Sequence, residues 1–170
     1  MLDSLNKMIT LRKLEPTDLP FLYRWENDAD MWGDADTHNP LSQQDLRQYI
    51  ESTTGDLYRD GQLRLIIQQE DTTMGCIDLF DLDIRNRKAA IGMYIIPEER
   101  GKGVGKQAVE QLEQYAFSFL HLRLLYAVIA TRNEACSALY RAMNYTPSSV
   151  LKNWTIESDA VLWYKCNPEE

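Results

Sequence analysis

Little in this sequence points to a metal, a disulfide frame or a membrane. Histidine occurs twice, at His38 and His121, too few and too far apart for a metal site. Cys76, Cys136 and Cys166 are odd in number and widely spaced, with no Cys-x-x-Cys. They read as reduced thiols of a cytoplasmic protein. No apolar run approaches the roughly 20 residues that would span a bilayer. The opening MLDSLNKMIT lacks the basic, apolar, small-residue order of a secretory signal. Clustered basic residues are missing as well: 18 Lys and Arg face 26 Asp and Glu, for a net charge of −8. Nucleic acid is thereby excluded as a partner, because a phosphate backbone demands grouped Lys and Arg. An acidic balance suits a cationic partner, or serves solubility alone. No repeat, linker or low-complexity block divides the 170 residues, a length that fits one domain with a sizeable core.

What is present alternates between strand and helix signals. MITLRKL (8–14) has a strand's period, and Glu15-Pro16-Thr17-Asp18 starts a helix carried by Leu19, Leu22 and Trp25. Residues 27–40 form a polar, acidic loop. Ser42 and Asp45 form a capping box for a helix to about Ser52. QLRLIIQQ (62–69), MGCIDLFDL (74–82) and RKAAIGMYII (87–96) follow at short separation, as in an antiparallel meander. After Pro97, the positions of Val104, Ala108, Leu112, Ala116 and Phe119 predict a helix to about Leu120. LLYAVIA (124–130) predicts a strand buried on both faces. Asn133 is positioned to cap a helix ending near Asn144, and VLWYKC (161–166) closes the chain as a strand. The order predicts an α+β (mixed α/β) fold around one central sheet.

Between Pro97 and the long helix lies ERGKGVGK, with Gly101, Gly103 and Gly105 interleaved with Arg100, Lys102 and Lys106. Here a strand ends and a helix begins. The first four N–H groups of a helix lack intrahelical partners, and its dipole is positive at that end. Glycines let an anion reach the backbone. The physical reading is a phosphate or diphosphate site; the alternative is a tight turn into a helix. A P-loop is excluded because Arg100 stands where its first glycine belongs and Gln107 where Ser or Thr would bind magnesium. A dinucleotide fingerprint fails because the preceding strand ends a meander and does not open a βαβ unit.

Arg100, Gly103 and Gly105 fit Arg-x-x-Gly-x-Gly, and TRNEACSALYRAMNY (131–145) follows at fixed distance. Both stretches resemble the GNAT superfamily of acetyl-CoA-dependent N-acetyltransferases. The resemblance spans residues 8–166. It is nearest the branch of spermidine and ribosomal-protein N-terminal acetyltransferases, whose opening strand and helix RKLEPTDLPFLYRWENDADM resembles. Asn144-Tyr145 stand where that family usually has Gly-Phe; Asn also accepts a left-handed helix cap.

The resemblance implies a single domain over 1–170, with a mixed, mostly antiparallel sheet flanked by helices. It implies acetyl-CoA as cofactor, no metal, and a primary amine as acceptor, either a small polyamine-like cation or a protein N-terminus. The chain would be a monomer or a homodimer. Tyr94, Ile95 and Ile96 would lie along the pantetheine, with a backbone N–H near Tyr94 or Ile95 facing the thioester oxygen. Arg100, Gly101, Lys102, Gly103, Val104, Gly105 and Lys106 would hold the diphosphate. Tyr140 would be the general acid. Asn133 would bond the pantetheine or merely cap its helix, and Cys136 reads as a buried small residue. The related branch often carries a Glu where this chain has Ala90, which leaves the general base unassigned among alternatives such as Asp78, Asp81 and Asp83. Asp28, Asp30, Trp32, Asp34 and Asp36 would form an acidic, aromatic wall for an ammonium group, with Asp78 as a further acceptor residue. A non-catalytic acyl-CoA-binding domain is the competing reading.

Overall fold

The computed structural model of the chain describes residues 8–28 and 39–169. Among them, seven strands form one sheet: β1 (Thr10–Lys13), β2 (Leu63–Gln69), β3 (Thr72–Asp83), β4 (Lys88–Ile95), β5 (Leu124–Ala130), β6 (Thr146–Leu151) and β7 (Ala160–Cys166). Their spatial order is β1-β2-β3-β4-β5-β7-β6. Every pairing is antiparallel except β4 with β5, which is parallel. The helices are α1 (Leu19–Glu26), α2 (Gln43–Ser52), α3 (Leu57–Asp60), α4 (Val104–Gln114) and α5 (Glu134–Ala142). A π-helical turn over Tyr115–Phe119 extends α4. No helix among the described residues is long and apolar enough to cross a membrane.

Local chemistry starts each helix. Asp18 accepts the Glu15 N–H at 2.8 Å beside Pro16, and α1 follows. Ser42 and Asp45 cap α2 reciprocally, with N–H to side-chain distances of 2.9 and 3.1 Å. Asn133 accepts the Cys136 N–H at 3.1 Å and starts α5. The period of two then sorts the strand residues onto two faces. Ile77, Leu79, Ile91, Leu125, Ala127, Ile129 and Trp163 pack under α4 and α5, against Val104, Ala108, Leu112 and Tyr140. Sealing a side chain such as Leu112 there contributes about 2 kcal/mol. The opposite face carries Arg64, Ile66, Cys76, Asp78 and Tyr94. The α1 residues Phe21 and Trp25 cover Ile66, Cys76 and Tyr94 there.

Two elements differ from expectation. β6, with Pro147 and two serines, gives no alternating signal; it forms because β7 offers an edge, where a proline is tolerated. β5 is not buried on both faces: Leu125, Ala127 and Ile129 are buried, whereas Tyr126 is half-buried and Val128 exposed. The reason is that the second face of β5 borders an open cleft.

Candidate active site

β4 and β5 pair only at Lys88–Leu124, Ala89–Leu125 and Ala90–Tyr126. Beyond Ala90 the two parallel strands part. A cleft of about 630 Å³ opens between Ile91, Gly92 and Met93 on one side and Ala127–Ala130 on the other. Asn133, Cys136 and Tyr140 line it from α5, and Asn153 to Ile156 line it from the β6–β7 connection.

At the far end of β4 the backbone alternates in use. The Ile96 N–H donates to the Met74 carbonyl at 3.0 Å. Counting back along the antiparallel ladder, Tyr94 faces β3 as well, so the N–H groups of Met93 and Ile95 turn toward β5 and the cleft. Of Tyr94, Ile95 and Ile96, Ile95 is therefore the residue whose amide points the right way. The Tyr94 ring goes to the other face, where Trp25 stacks on it at 4.6 Å.

The glycine turn follows. Gly101 and Gly103 have φ of +74° and +84°, left-handed values that suit glycine, and a Cβ at either would meet nothing within 4 Å. Gly105 serves a different end. A Cβ there would approach Met93 Cε at 3.2 Å and Leu139 Cδ2 at 3.3 Å, so its absence lets α4 close onto the cleft wall and α5. Among the described residues, the N–H groups of Gly101, Lys102, Gly103, Val104, Gly105 and Lys106 have no hydrogen-bond partner. Six successive free donors, a helix N-terminus and open space over two glycines fit a diphosphate. The side chains add less than the sequence suggests. Lys102 pairs with Glu99 at 3.2 Å and Lys106 with Glu110 at 3.8 Å, and both are exposed. Arg100 folds back, its Nε donating to the Ile95 carbonyl at 2.9 Å and its guanidinium lying 5.8 Å from the Tyr94 ring centre.

Tyr140 is buried, lines the cleft, and meets the Tyr145 ring edge-on at 4.8 Å. Its hydroxyl has no partner among the described residues. Burial pushes its phenol, and that of Tyr145, well above the ordinary tyrosine range. An unfolded tyrosine ionises near pH 10, so above about that pH the unfolded chain sheds protons the folded chain keeps, and stability falls. The urea midpoint should stay level to about pH 9 and drop by about pH 11; a level midpoint throughout would contradict the burial of these phenols. Asn133 both caps α5 through Oδ1 and lines the cleft, leaving its side-chain amide donors without a described partner. Cys136 is half-buried on the cleft wall, not sealed in the core, because the cleft exposes that side of α5.

The three aspartates of β3 and its turn separate. Asp78 gives both oxygens to Arg64, at 2.9 and 2.7 Å. Asp83 caps its turn, accepting from the Asn86 N–H at 2.9 Å and from Asn86 Nδ2 at 2.8 Å. Asp81 is exposed, lines the cleft and has no partner among the described residues. It sits at φ +49° where the β3–β4 register breaks between Phe80 and Asp83, a bulge beside Ala90. Asp28 closes the last turn of α1, its N–H on the Trp25 carbonyl at 3.0 Å. Asp30, Trp32, Asp34 and Asp36 lie outside the described residues. Sequence reasoning missed Trp154 and Ile156, apolar residues in a polar connection that overhang the cleft, exposed at 61% and 84%. Their isolation among polar neighbours was the available signal.

The sequence profile of the acetyltransferase (GNAT) domain matches residues 8–146. The chain is 24% identical over 141 residues to a spermidine N(1)-acetyltransferase of Escherichia coli, covering 81% of this chain and 73% of that protein. It is 32% identical over 148 residues to a Bacillus subtilis protein provisionally named ribosomal N-acetyltransferase YdaF, covering 79% and 75%. A spermidine N-acetyltransferase of Vibrio cholerae, solved in complex with CoA and spermine, superposes with a TM-score of 0.83 over 95% of this chain and 97% of that one, at 22% identity.

Proposed function

The chain belongs to the GNAT acetyltransferase family, whose members use acetyl-CoA, and from that premise we propose that it acetylates a primary amine by direct attack, with Tyr140 protonating the departing thiolate. Bound acetyl-CoA supplies an activated thioester; the remaining tasks fall to this chain. The observation that carries the reading is the parting of β4 from β5 into a cleft, with a run of backbone N–H groups lacking described partners on the turn that follows β4. Those donors are suited to the diphosphate, with Arg100 joining them only if it leaves the Ile95 carbonyl, and Asn133 Nδ2 is suited to the pantetheine amides. The Ile95 N–H offers a fixed dipole where negative charge develops on the acyl oxygen. Tyr140 keeps its proton at neutral pH and can give it to sulfur. Catalysis, not passive acyl-CoA binding, is what family membership and the acetyltransferase relatives favour.

For the acceptor, a polyamine-like cation ranks above a protein N-terminus. The E. coli and V. cholerae relatives are named for spermidine, and Asp81 places a partner-free carboxylate in the cleft among the aromatic side chains of Phe80, Tyr126 and Trp154. That grouping suits an ammonium. The YdaF relative keeps the N-terminal amine as the second reading. Asp81 is also the aspartate of the three best placed to take the amine's proton. Asp81→Asn should raise the acceptor KM by about fivefold and spare the acetyl-CoA KM; steady-state kinetics with each substrate varied would show it, and equal acceptor KM values would remove Asp81 from the site. The reading as a whole is tested by incubating the protein with acetyl-CoA and a panel of polyamines, monoamines and N-terminal peptides while following thiol release. Release with cationic small amines is expected. Acetyl-CoA binding with no release on any amine would overturn it.

A further inference from the structure

Outside the cleft lies an ionic pair that the mechanism above does not use. Glu113 of α4 is buried, and its Oε2 accepts from Lys165 Nζ of β7 at 2.7 Å. The same ammonium donates to the Met143 carbonyl at 3.0 Å and lies 5.6 Å from the Tyr145 ring centre. One cation thus joins α4, β7 and the turn that ends α5. The pair borders a second hollow, of about 260 Å³, that shares no lining residue with the cleft. Such a pair is a weak source of net stability, since desolvation offsets much of the attraction. What it supplies is position. Met143 caps the end of α5, where carbonyls lack intrahelical partners and a cation is favoured.

That turn is bonded directly to Tyr140. Asn144 takes a left-handed φ of +62°, which reverses the chain and brings the Tyr145 N–H to the Tyr140 carbonyl at 3.0 Å. The Tyr145 ring then meets the Tyr140 ring edge-on at 4.8 Å. So the turn holds Tyr140 at its carbonyl and its ring, and Lys165 holds the turn at the Met143 carbonyl and the Tyr145 ring. Burial does most to raise both phenols, and the nearby charge of Glu113 adds to it. Tyr140 itself lines the cleft. We infer that Lys165, fixed by Glu113, is a positioning residue for Tyr140: it sets the turn that ends α5, and with it the place of the Tyr140 ring on the cleft wall. The inference rests on the proposed role of Tyr140 as proton donor.

Two variants and two readouts test it. Lys165→Met keeps an unbranched side chain and loses the ammonium. Glu113→Gln combined with Lys165→Met removes both charges, and serves if the first fails to fold because Glu113 is left unpaired. Each should lower kcat by about tenfold with both substrates' KM values within about twofold, because a small displacement of one catalytic group acts on the chemical step. In a Tyr140→Phe background the same change should cost less than about a further twofold, since it acts through the hydroxyl already removed. Independently of turnover, the Tyr140 ring signals in an NMR spectrum should shift in both variants while the amide signals of residues 101–106 stay in place. Wild-type kcat, a full tenfold loss on the Tyr140→Phe background, KM values rising together as kcat falls, or unmoved Tyr140 ring signals would each overturn the inference. Those results leave the proposed function standing; that reading fails separately, if wild-type protein turns over no amine or if Tyr140→Phe alone keeps full turnover.

Discussion

Tyr140→Phe lowers turnover by about a hundredfold to ten-thousandfold and leaves acetyl-CoA affinity within about twofold. The two halves of this expected result come from different atoms. The ring packs edge-on against Tyr145 at 4.8 Å within the buried face of α5, and phenylalanine keeps that contact. The hydroxyl has no partner among the described residues, so its removal strands no buried donor or acceptor, and the melting temperature should barely move. What is lost is a proton held on the cleft wall by a phenol that burial keeps protonated. Sulfur would then leave as a bare thiolate, with no phenol proton beside it. Acetyl-CoA binding measured by titration, beside turnover measured by thiol release, separates the two effects. Wild-type turnover in the variant would remove Tyr140 from the reaction. A parallel loss of cofactor affinity would make it a binding residue instead.

Gly103→Val has the second large effect, on the cofactor side. Gly103 is the residue before α4 and sits at φ +84°, where a side chain costs about 1–2 kcal/mol. The protein itself leaves room for that side chain, as nothing lies within 4 Å of a Cβ there. The fold should survive with a modestly lower melting temperature. The room, however, is the space over the free N–H groups, and a branched side chain in it would displace the diphosphate. Acetyl-CoA affinity should fall by at least about tenfold, through lost charge-assisted hydrogen bonds. Gly61 supplies the control. It follows α3 at φ +74°, again with nothing within 4 Å, and far along the chain from the turn. Gly61→Val should destabilise by a similar amount and leave acetyl-CoA affinity unchanged. If the two variants bind acetyl-CoA equally well, the turn is a structural helix start and no more.

The parts of this architecture that follow from local chemistry were legible in the sequence. The capping residues Ser42, Asp45 and Asn133 mark helix starts that the fold keeps, and the meander of β2, β3 and β4 follows from alternation and short turns. The glycine turn was legible because its chemistry is backbone chemistry, fixed by where a strand stops and a helix starts. Features that depend on a distant partner were not. β6 exists because β7 pairs with it, and the exposed side of β5 exists because β4 leaves it after Ala90. Arg64 reads as a charge on an ordinary strand until Asp78, 14 residues on, and Glu26, 38 residues back, are brought to its guanidinium. The same limit governed the aspartates. Asp78, Asp81 and Asp83 look equivalent in sequence, yet an ion pair, a bulge and a turn give them three different fates.

The central claim is that the backbone of residues 101–106 holds the diphosphate of coenzyme A. An amide-resolved NMR titration of the isotope-labelled protein, with coenzyme A in one series and pantetheine in the other, tests it most directly. The account predicts that the amide signals of Gly101, Gly103 and Gly105 move strongly with coenzyme A and little with pantetheine, while those of Met93 and Ile95 respond to both. Signals from 101–106 that stay still as coenzyme A saturates the protein would contradict it.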